Sequence, residues 1–278
     1  MTLIFFGTPE AAVVPLEALV AAGFDIPLVV TQPDRRRGRG GATVPSPVKR
    51  AALEHGIEVA TPTRARDVVD QIRATGAERG VVVAFGQLLP PALLDALPKG
   101  LVNLHYSLLP RWRGAAPVER AILAGDTETG VCVMDVEQTL DTGAVYACDV
   151  VPIGPEETAG ELHARLTEVG AALLVETLRS IDTITPEPQV GESTYADKLA
   201  VDEFHIDLRR PATELARVVR AGNPRPGAWL DVDGVRLKVW RGHAVDGRFV
   251  PDEVQPQGKR AMPYTAWRAG HRGADPFS

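Results

Sequence analysis

The stretch RGVVVAFGQLLPPALLDALPKGLVNLH, residues 79–105, predicts a strand, a helix and a second strand in succession. RGVVVAF (79–85) and GLVNLH (100–105) are short continuous apolar runs, which are typical of strands covered on both faces. Between them, residues 90–97 favour a short helix. Two strands joined by a helical crossover lie parallel in one sheet. The stretch therefore predicts an α/β fold: a mostly parallel, twisted sheet covered by helices, of Rossmann-like architecture.

The same alternation extends along the chain on both sides of this stretch. The other predicted strands lie at 2–6, 26–31 and 57–60, and the predicted helices at 9–23, 46–56 and 66–76. From Gly130 the pattern changes, because GVCVMDVEQ and GAVYACDVVPI are two strands joined across TLDTG, as in an antiparallel pair. Residues 158–181 then predict a long helix, with Thr158 and Glu161 at capping-box spacing.

The C-terminal third differs in pattern and in charge. Residues 182–198 have no apolar period and several turn-forming residues, which is typical of a linker. After it, 211–222 predict a helix and 228–240 a hairpin that turns at Asp233-Gly234. We therefore expect a catalytic domain at 1–182, a linker at 183–205 and a small, mainly β domain at 206–278. That last domain has a charge balance of +5 within a chain of net charge −6, as expected of a lobe that meets a polyanion.

The composition is that of an ordinary globular protein, with 45% hydrophobic and 24% charged residues. No run approaches the roughly 20 apolar residues of a membrane helix, and the N-terminus lacks a signal-peptide pattern. We therefore expect a cytoplasmic protein with no membrane attachment. Cys132 and Cys148 are the only cysteines, and we expect them to be buried small residues that form neither a disulfide framework nor a metal site. The histidines show no metal-ligand spacing, so we expect no metal.

Asn103 and His105 are polar residues in a strand that otherwise consists of apolar ones. Side chains two residues apart point to the same face, here at the carboxyl end of a parallel strand, where open α/β sheets bind ligands. Asn can donate a hydrogen bond to a developing oxyanion, and His can move a proton near neutral pH. Asp141, in the tight turn LDTG (140–143), supplies a carboxylate that could orient His105. These residue types favour an acyl-transfer centre.

Two other interpretations of these motifs are not supported. FFGTPE (5–10) has one glycine where a dinucleotide fingerprint requires three, so Gly7 marks either an ordinary turn or a close approach of the backbone to a ligand. DTG also occurs in aspartic proteases, but these need two such aspartates and the chain has one DTG. The sequence therefore favours neither a nicotinamide enzyme nor a protease.

The loop TQPDRRRGRG (31–40) contains Arg35, Arg36, Arg37 and Arg39. We expect this strongly cationic loop to have no fold of its own and to be ordered by a phosphate backbone. The alternative is a solvated charge run, which is the more common outcome for an isolated arginine cluster.

Four motifs together resemble the methionyl-tRNA formyltransferases, a branch of the folate-dependent formyltransferase family. They are QPDRRRGRG, PSPVK, NLHYSLLPRWRGAAPVERAILAGDTETGV and LDTG, in the order and spacing of that family. The resemblance covers essentially residues 1–243 and implies transfer of the formyl group of 10-formyltetrahydrofolate to the α-amine of methionine on initiator tRNA. No Ser or Cys nucleophile is needed for this chemistry, so we expect direct transfer without an acyl-enzyme. We also expect the protein to be a monomer.

By motif match, the resemblance implies that Asn103, His105 and Asp141 are the catalytic residues. The arginines of the 31–40 loop, Arg39 above all, would contact the acceptor end of the tRNA. The folate co-substrate would contact Phe85, Gly86, Gln87, Leu88, Leu89, Ser107, Leu108, Leu109, Pro110, Leu140, Thr142 and Gly143.

One departure from the family concerns the C-terminal domain. Only DGRFVPDE separates LKVWRGHAV from the closing VQPQGK, where the family has several more strands. We therefore expect an OB-like barrel that is incomplete, which puts its contacts with the tRNA body in doubt.

Three alternatives remain open from the sequence. The first is an N-formyltransferase acting on an amino sugar attached to a nucleotide, with the same three catalytic residues. The second is a non-catalytic RNA-binding descendant of the enzyme, against which the intact trio argues. The third is hydrolysis of formyl-folate, with water as the acceptor.

Overall fold

The computed structural model describes residues 1–37 and 42–278, with fifteen strands and eight α-helices in the described part. The strands are β1 (Thr2–Gly7), β2 (Asp25–Val30), β3 (Arg35–Arg37), β4 (Ala42–Val44), β5 (Glu58–Ala60), β6 (Arg79–Val83), β7 (Leu101–His105), β8 (Arg113–Gly114), β9 (Glu128–Asp135), β10 (Val145–Pro152), β11 (Tyr195–Ala196), β12 (Ala228–Val232), β13 (Val235–Val245), β14 (Arg248–Pro256) and β15 (Met262–Pro263). The helices are α1 (Val13–Ala21), α2 (Pro47–Glu54), α3 (Val69–Thr75), α4 (Pro91–Leu94), α5 (Pro117–Ala124), α6 (Ala159–Ser180), α7 (Ala212–Gly222) and α8 (Tyr264–Gly270).

The described residues form two compact units, each built from separated segments. The first comprises Met1–Arg113, Gly130–Val151 and Ala164–Thr194, and the second comprises Gly114–Thr129, Pro152–His163 and Tyr195–Ser278. The domain boundaries expected at 182 and 206 stay a prediction.

The first unit is organised around a seven-stranded sheet of order β10-β9-β7-β6-β1-β2-β5. The pairs β1–β2, β1–β6, β2–β5 and β6–β7 are parallel, and β7–β9 is antiparallel. These pairings confirm the predicted mostly parallel sheet. Its central strands are buried apolar runs because helices cover both faces of the sheet. Phe5, Phe6 and Ile4 of β1 are wholly buried, and each such side chain stabilises the fold by about 1.5–3 kcal/mol.

Capping signals in the sequence locate two helix starts correctly. Ser46 precedes α2, its side chain accepts a hydrogen bond from the Lys49 amide at 3.0 Å, and Pro47 occupies the first helical position. At the start of α6, the Glu161 carboxylate accepts from the Thr158 amide at 2.9 Å, and the Glu161 amide donates back to Oγ1 of Thr158 at 3.3 Å. This reciprocal pair is the capping box expected from the spacing.

The second unit contains a four-stranded antiparallel sheet of order β12-β13-β14-β15. Asp233 and Gly234 turn β12 into β13 with positive φ angles of 49° and 76°, as a two-residue hairpin requires. Helix α7 buries Leu215, Val218 and Val219. The expected small, mainly β C-terminal part is confirmed, and its four strands pair in a linear order.

Two expectations were wrong. Part of the 31–40 loop has structure of its own, because the backbone of Arg35–Arg37 pairs antiparallel with Ala42–Val44 as a short hairpin. Gly38, Arg39 and Gly40 lie outside the described residues. The two cysteines are joined as a disulfide, Cys132 to Cys148, although a single pair in the sequence had indicated buried free thiols. They lie on the neighbouring strands β9 and β10, and only Cys132 is buried.

Within residues 1–37 and 42–278, every helix is too short or too polar to cross a membrane. The same residues contain no cluster of three or more His, Cys, Asp or Glu side chains that could hold a metal ion.

Candidate active site

Strand β7 carries Asn103 and His105 on one face and ends at His105. Its other face packs on α6, where the Cβ of any residue replacing Gly170 would come within 3.0 Å of Leu104. β6 pairs with β7 in parallel, and β9 pairs with it antiparallel, so that Cys132 lies opposite His105. His105 is therefore fixed by a strand that is hydrogen-bonded on both edges, and only 5% of its surface is exposed.

Both ring nitrogens of His105 face a polar group. Nε2 lies 2.9 Å from the carbonyl oxygen of Trp112. Because a carbonyl only accepts, Nε2 carries a hydrogen in this arrangement. Nδ1 lies 3.8 Å from Oδ2 of Asp141, a distance beyond a direct hydrogen bond that leaves the pair in electrostatic contact. The structure thus brings together His105 and Asp141 as the sequence predicted.

Asp141 reaches His105 because the 136–144 loop returns along the face of β7. Asp135, the last residue of β9, pairs with Val102, three residues before His105, which corresponds to roughly 10 Å of strand. At the end of the loop the Asp135 amide donates to the Ala144 carbonyl at 2.8 Å. Gly143 is required here, because a Cβ would lie 2.0 Å from the Asp135 carbonyl oxygen.

The neighbouring strand ends are tied together at the carbonyl of Phe85. Oγ1 of Thr8, just after β1, donates to it at 2.9 Å, and Nε2 of Gln32, after β2, donates at 3.2 Å. Gly7 is enclosed by protein, since a Cβ there would meet Phe5 at 2.7 Å and Ala12 at 2.9 Å. Of the two interpretations that the sequence left open for Gly7, this packing favours the ordinary turn.

Three non-glycine residues with positive φ lie near the strand ends of the first unit. They are Ala84 at 48°, Trp112 at 61° and Asp141 at 52°. Each non-glycine residue held in this region costs about 1–3 kcal/mol, and such residues are concentrated at functional sites. Two of the three residues provide the groups that face the ring nitrogens of His105.

The residues expected to contact folate divide into exposed and enclosed ones. Leu88 is 83% exposed and Leu140 is 54% exposed, so both apolar side chains are open to a ligand. Phe85 is buried with its ring edge-on to Phe6 at 5.5 Å, and the buried hydroxyl of Ser107 donates to the Arg111 carbonyl at 2.6 Å. The side chains of Phe85 and Ser107 therefore support the site from within the protein.

Most of the other residues expected to contact folate are half-buried or exposed. Gln87 donates from Nε2 to the Pro62 carbonyl at 3.2 Å, and the Thr142 hydroxyl donates to the Thr139 carbonyl at 3.2 Å. Gly86 is exposed, whereas Leu89, Leu108, Leu109 and Pro110 are half-buried.

Tyr106, next to His105 in sequence, is buried, and its hydroxyl is used in a hydrogen bond within the protein. Its hydroxyl donates to the Ala11 carbonyl at 3.1 Å. Burial raises the pKa of Tyr106 to about 12, so this phenol stays protonated at neutral pH. The hydrogen bond links the end of β7 to the segment that precedes α1.

No sequence signal identifies Gln189, which lies in the stretch 182–198 that we expected to be a linker. Its Nε2 donates to the carbonyls of Asp141 and Gly143, at 2.9 Å each. Its Oε1 accepts from Nε and Nη2 of Arg113 at 3.0 and 2.6 Å. A glutamine in a polar stretch has no local pattern that identifies it, and only long-range hydrogen bonds do so.

Comparisons with known proteins agree with this geometry. The profile of a family described as "Formyl transferase" matches residues 1–178, and that of "Formyl transferase, C-terminal domain" matches residues 198–250. A methionyl-tRNA formyltransferase of Symbiobacterium thermophilum is 46% identical over 94% of this chain and 90% of its own.

Two solved structures share the fold at low sequence identity. A methionyl-tRNA formyltransferase from Clostridium thermocellum has a TM-score of 0.65 at 16% identity, over 92% of this chain and 98% of its own. An N-formyltransferase from Helicobacter canadensis, in complex with folinic acid and dTDP-3-aminofucose, has a TM-score of 0.66 at 18% identity, over 94% and 98%. The two profile matches and the high identity to a full-length relative place this chain in the formyltransferase family, beside the methionyl-tRNA formyltransferases, as an enzyme of formyl transfer.

Proposed function

We propose that the protein transfers the formyl group of 10-formyltetrahydrofolate to the α-amino group of methionine on initiator tRNA. The observation that carries the proposal is the His105–Asp141 contact of 3.8 Å on the strand face that also bears Asn103. It occurs in a chain that is 46% identical over 94% of its length to a methionyl-tRNA formyltransferase.

We assign to Asn103 the stabilisation of the oxyanion. Attack of the amine on the formyl carbon moves the carbonyl electrons onto oxygen, and an amide N–H can donate to that developing charge. Asn103 is half-buried and lies in mid-strand between its partners Val82 and Met134. The strand therefore fixes the backbone from which the amide reaches the developing charge.

We assign to His105 and Asp141 the transfer of the proton from the amine to the leaving nitrogen. The attacking amine must lose a proton, and the folate nitrogen that leaves must gain one, so a single carrier between them balances the reaction. Nδ1 of His105 is the nitrogen that faces the Asp141 carboxylate, while Nε2 is held by the Trp112 carbonyl. Asp141 keeps the imidazole oriented and stabilises its positive charge during the transfer.

The arrangement supports direct transfer between the two substrates. Ser107, the serine closest in sequence to His105, is wholly buried and donates to the Arg111 carbonyl. Neither cysteine is available as a nucleophile, because the two form a disulfide. Holding both substrates in one site can itself contribute up to about 7–11 kcal/mol to the rate.

We assign the folate to the exposed apolar side chains Leu88 and Leu140 and to the backbone of the surrounding loops. The tRNA acceptor end is assigned to the arginine loop, whose flanks Arg35–Arg37 and Ala42–Val44 form a hairpin. A hairpin presents a fixed pair of strands to a phosphate backbone, in place of the unstructured loop expected from the sequence.

The test is to mix the purified protein with 10-formyltetrahydrofolate and methionine-charged initiator tRNA and to measure N-formylmethionine after deacylation. We expect formylmethionine in proportion to the protein added. Parallel reactions contain an amino-sugar nucleotide as acceptor or no amine at all. Transfer only to the sugar nucleotide, or folate hydrolysis without an acceptor, would replace the tRNA assignment.

A further inference from the structure

Gln189 forms hydrogen bonds with two chain segments that face His105, the 136–144 loop and the 110–113 segment. The segment 187–194, here called the strap, runs beside the 136–144 loop and the 110–113 segment. Its start pairs with β10, because the amides of Val145 and Glu187 each donate to the other residue's carbonyl, at 2.8 and 2.9 Å. The strap is thus anchored to the sheet before it reaches the site.

On one side the strap holds the loop that carries Asp141. Nε2 of Gln189 donates one hydrogen to the Asp141 carbonyl and one to the Gly143 carbonyl. These bonds fix the backbone on both sides of Thr142. Asp141 is held with φ at 52°, which an L-residue rarely adopts without support from its surroundings.

On the other side the strap holds the residue whose carbonyl faces Nε2 of His105. The Trp112 amide donates to Oγ1 of Thr194 at 2.9 Å, and the Arg113 amide donates to the Thr194 carbonyl at 2.9 Å. The guanidinium of Arg113 then donates twice to Oε1 of Gln189. These contacts close a ring that runs from His105 through Asp141, Gln189 and Arg113 to Trp112.

The primary amide is the side-chain group that suits this position. Two carbonyls need two donors, and the guanidinium needs an acceptor with two lone pairs. A glutamine supplies both from one planar group, and all four of its hydrogen-bonding sites are used. Glutamate would keep the acceptor and lose both donors, although it has nearly the same shape.

We propose that Gln189 is a positioning residue for catalysis, which sets the Asp141 carboxylate and the Trp112 carbonyl against the two ring nitrogens of His105. The proposal rests on the formyl transfer proposed above. Gln189 touches neither His105 nor a reacting atom and acts through the two segments that it joins.

The experiment measures formyl transfer to methionyl-tRNA by the wild type, Gln189→Ala, Gln189→Glu and, as a control, Val190→Ala. Val190 is the next strap residue and is 86% exposed. We expect both Gln189 variants to lose kcat about tenfold or more, because small displacements of catalytic groups are costly, with the KM for methionyl-tRNA little changed. Val190→Ala should keep the wild-type kcat.

A double-mutant cycle separates positioning from general structural support. In the Asp141→Asn background there is no carboxylate to position, so Gln189→Glu should cost much less than in the wild type. An equal cost in both backgrounds, or a Gln189→Glu kcat within about twofold of the wild type, would overturn the proposal. Should Gln189→Ala fail to fold, the nearly isosteric Glu variant carries the test. A wild type that transfers no formyl group would instead refute the proposed function.

Discussion

Asn103 is the site residue whose role in the reaction can be separated most clearly from a role in folding. It lies in the middle of a strand bonded on both edges, so its backbone position does not depend on its side chain. Its amide is therefore available for a role in the reaction, whereas Phe85 and Ser107, which the sequence also singled out, are used in packing and local hydrogen bonding.

We predict that Asn103→Asp, which keeps the shape of the side chain and removes its N–H donor, lowers kcat about 10²- to 10³-fold. The reason is that a carboxylate cannot donate to the oxyanion and also repels it. Steady-state formyl transfer measures kcat, and thermal unfolding serves as the folding control. A loss of less than about threefold, with the folded state intact, would remove Asn103 from the catalytic residues.

At the scale of elements, the sequence predicts what depends on local pattern. The apolar runs of β1, β6 and β7 predict their strands, Ser46-Pro47 predicts the start of α2, and Asp233-Gly234 predicts a hairpin turn. The disulfide and the arginine hairpin depend on which segments become neighbours. So does the strap, because Gln189 makes its bonds with residues 46 to 76 positions away. Local periodicity carries no information about such pairings.

The start of α6 gives a prediction at this scale. Glu161 accepts from the Thr158 amide and pairs with Arg241, and the hydrogen bonds to Thr158, followed by the Arg241 contact, lower the pKa of its carboxyl from 4.5 to about 2. A lowered pKa means that the charged form stabilises the folded protein above pH 4.5 and that this contribution is lost as the pH falls towards 2.

We therefore expect Glu161→Gln to lower the free energy of unfolding at pH 7. The loss should be about 1 kcal/mol or less, since both side chains of the pair are nearly half-exposed and screened by water. Urea unfolding at pH 7 and at pH 3 should show the difference from the wild type shrinking at the lower pH. Glu168→Gln, an exposed position on the same helix, controls for the change in net charge. A difference that grows on acidification would contradict the assignment.

For the whole molecule, charge is distributed in a way that the fold alone does not require. The chain has a net charge of −6, yet residues 206–278 carry 13 Lys and Arg against 8 Asp and Glu, and four more arginines lie at 35–39. A polyanionic acceptor approaching an acidic protein needs such local cationic regions, because long-range repulsion slows association.

We predict that replacing Arg35, Arg36, Arg37 and Arg39 together with Ser raises the KM for methionyl-tRNA and flattens its dependence on salt. Each phosphate contact that is lost should reduce the slope of log affinity against log salt by about 0.7–0.9. The control replaces four exposed arginines of the first unit, Arg64, Arg66, Arg73 and Arg179, with the same change in net charge. If both variants flatten the slope equally, the loop acts only through its overall charge.

The disulfide between Cys132 and Cys148 affects how variants of this protein can be compared. Cys132 lies directly across from His105 on the adjoining strand β9. The disulfide that joins β9 to β10 is therefore next to the strand that carries His105. Oxidised and thiol-treated preparations are two distinct molecules, which differ in mass by two hydrogen atoms. Intact-mass spectrometry should assign each preparation to one of them before its turnover is compared with that of any variant.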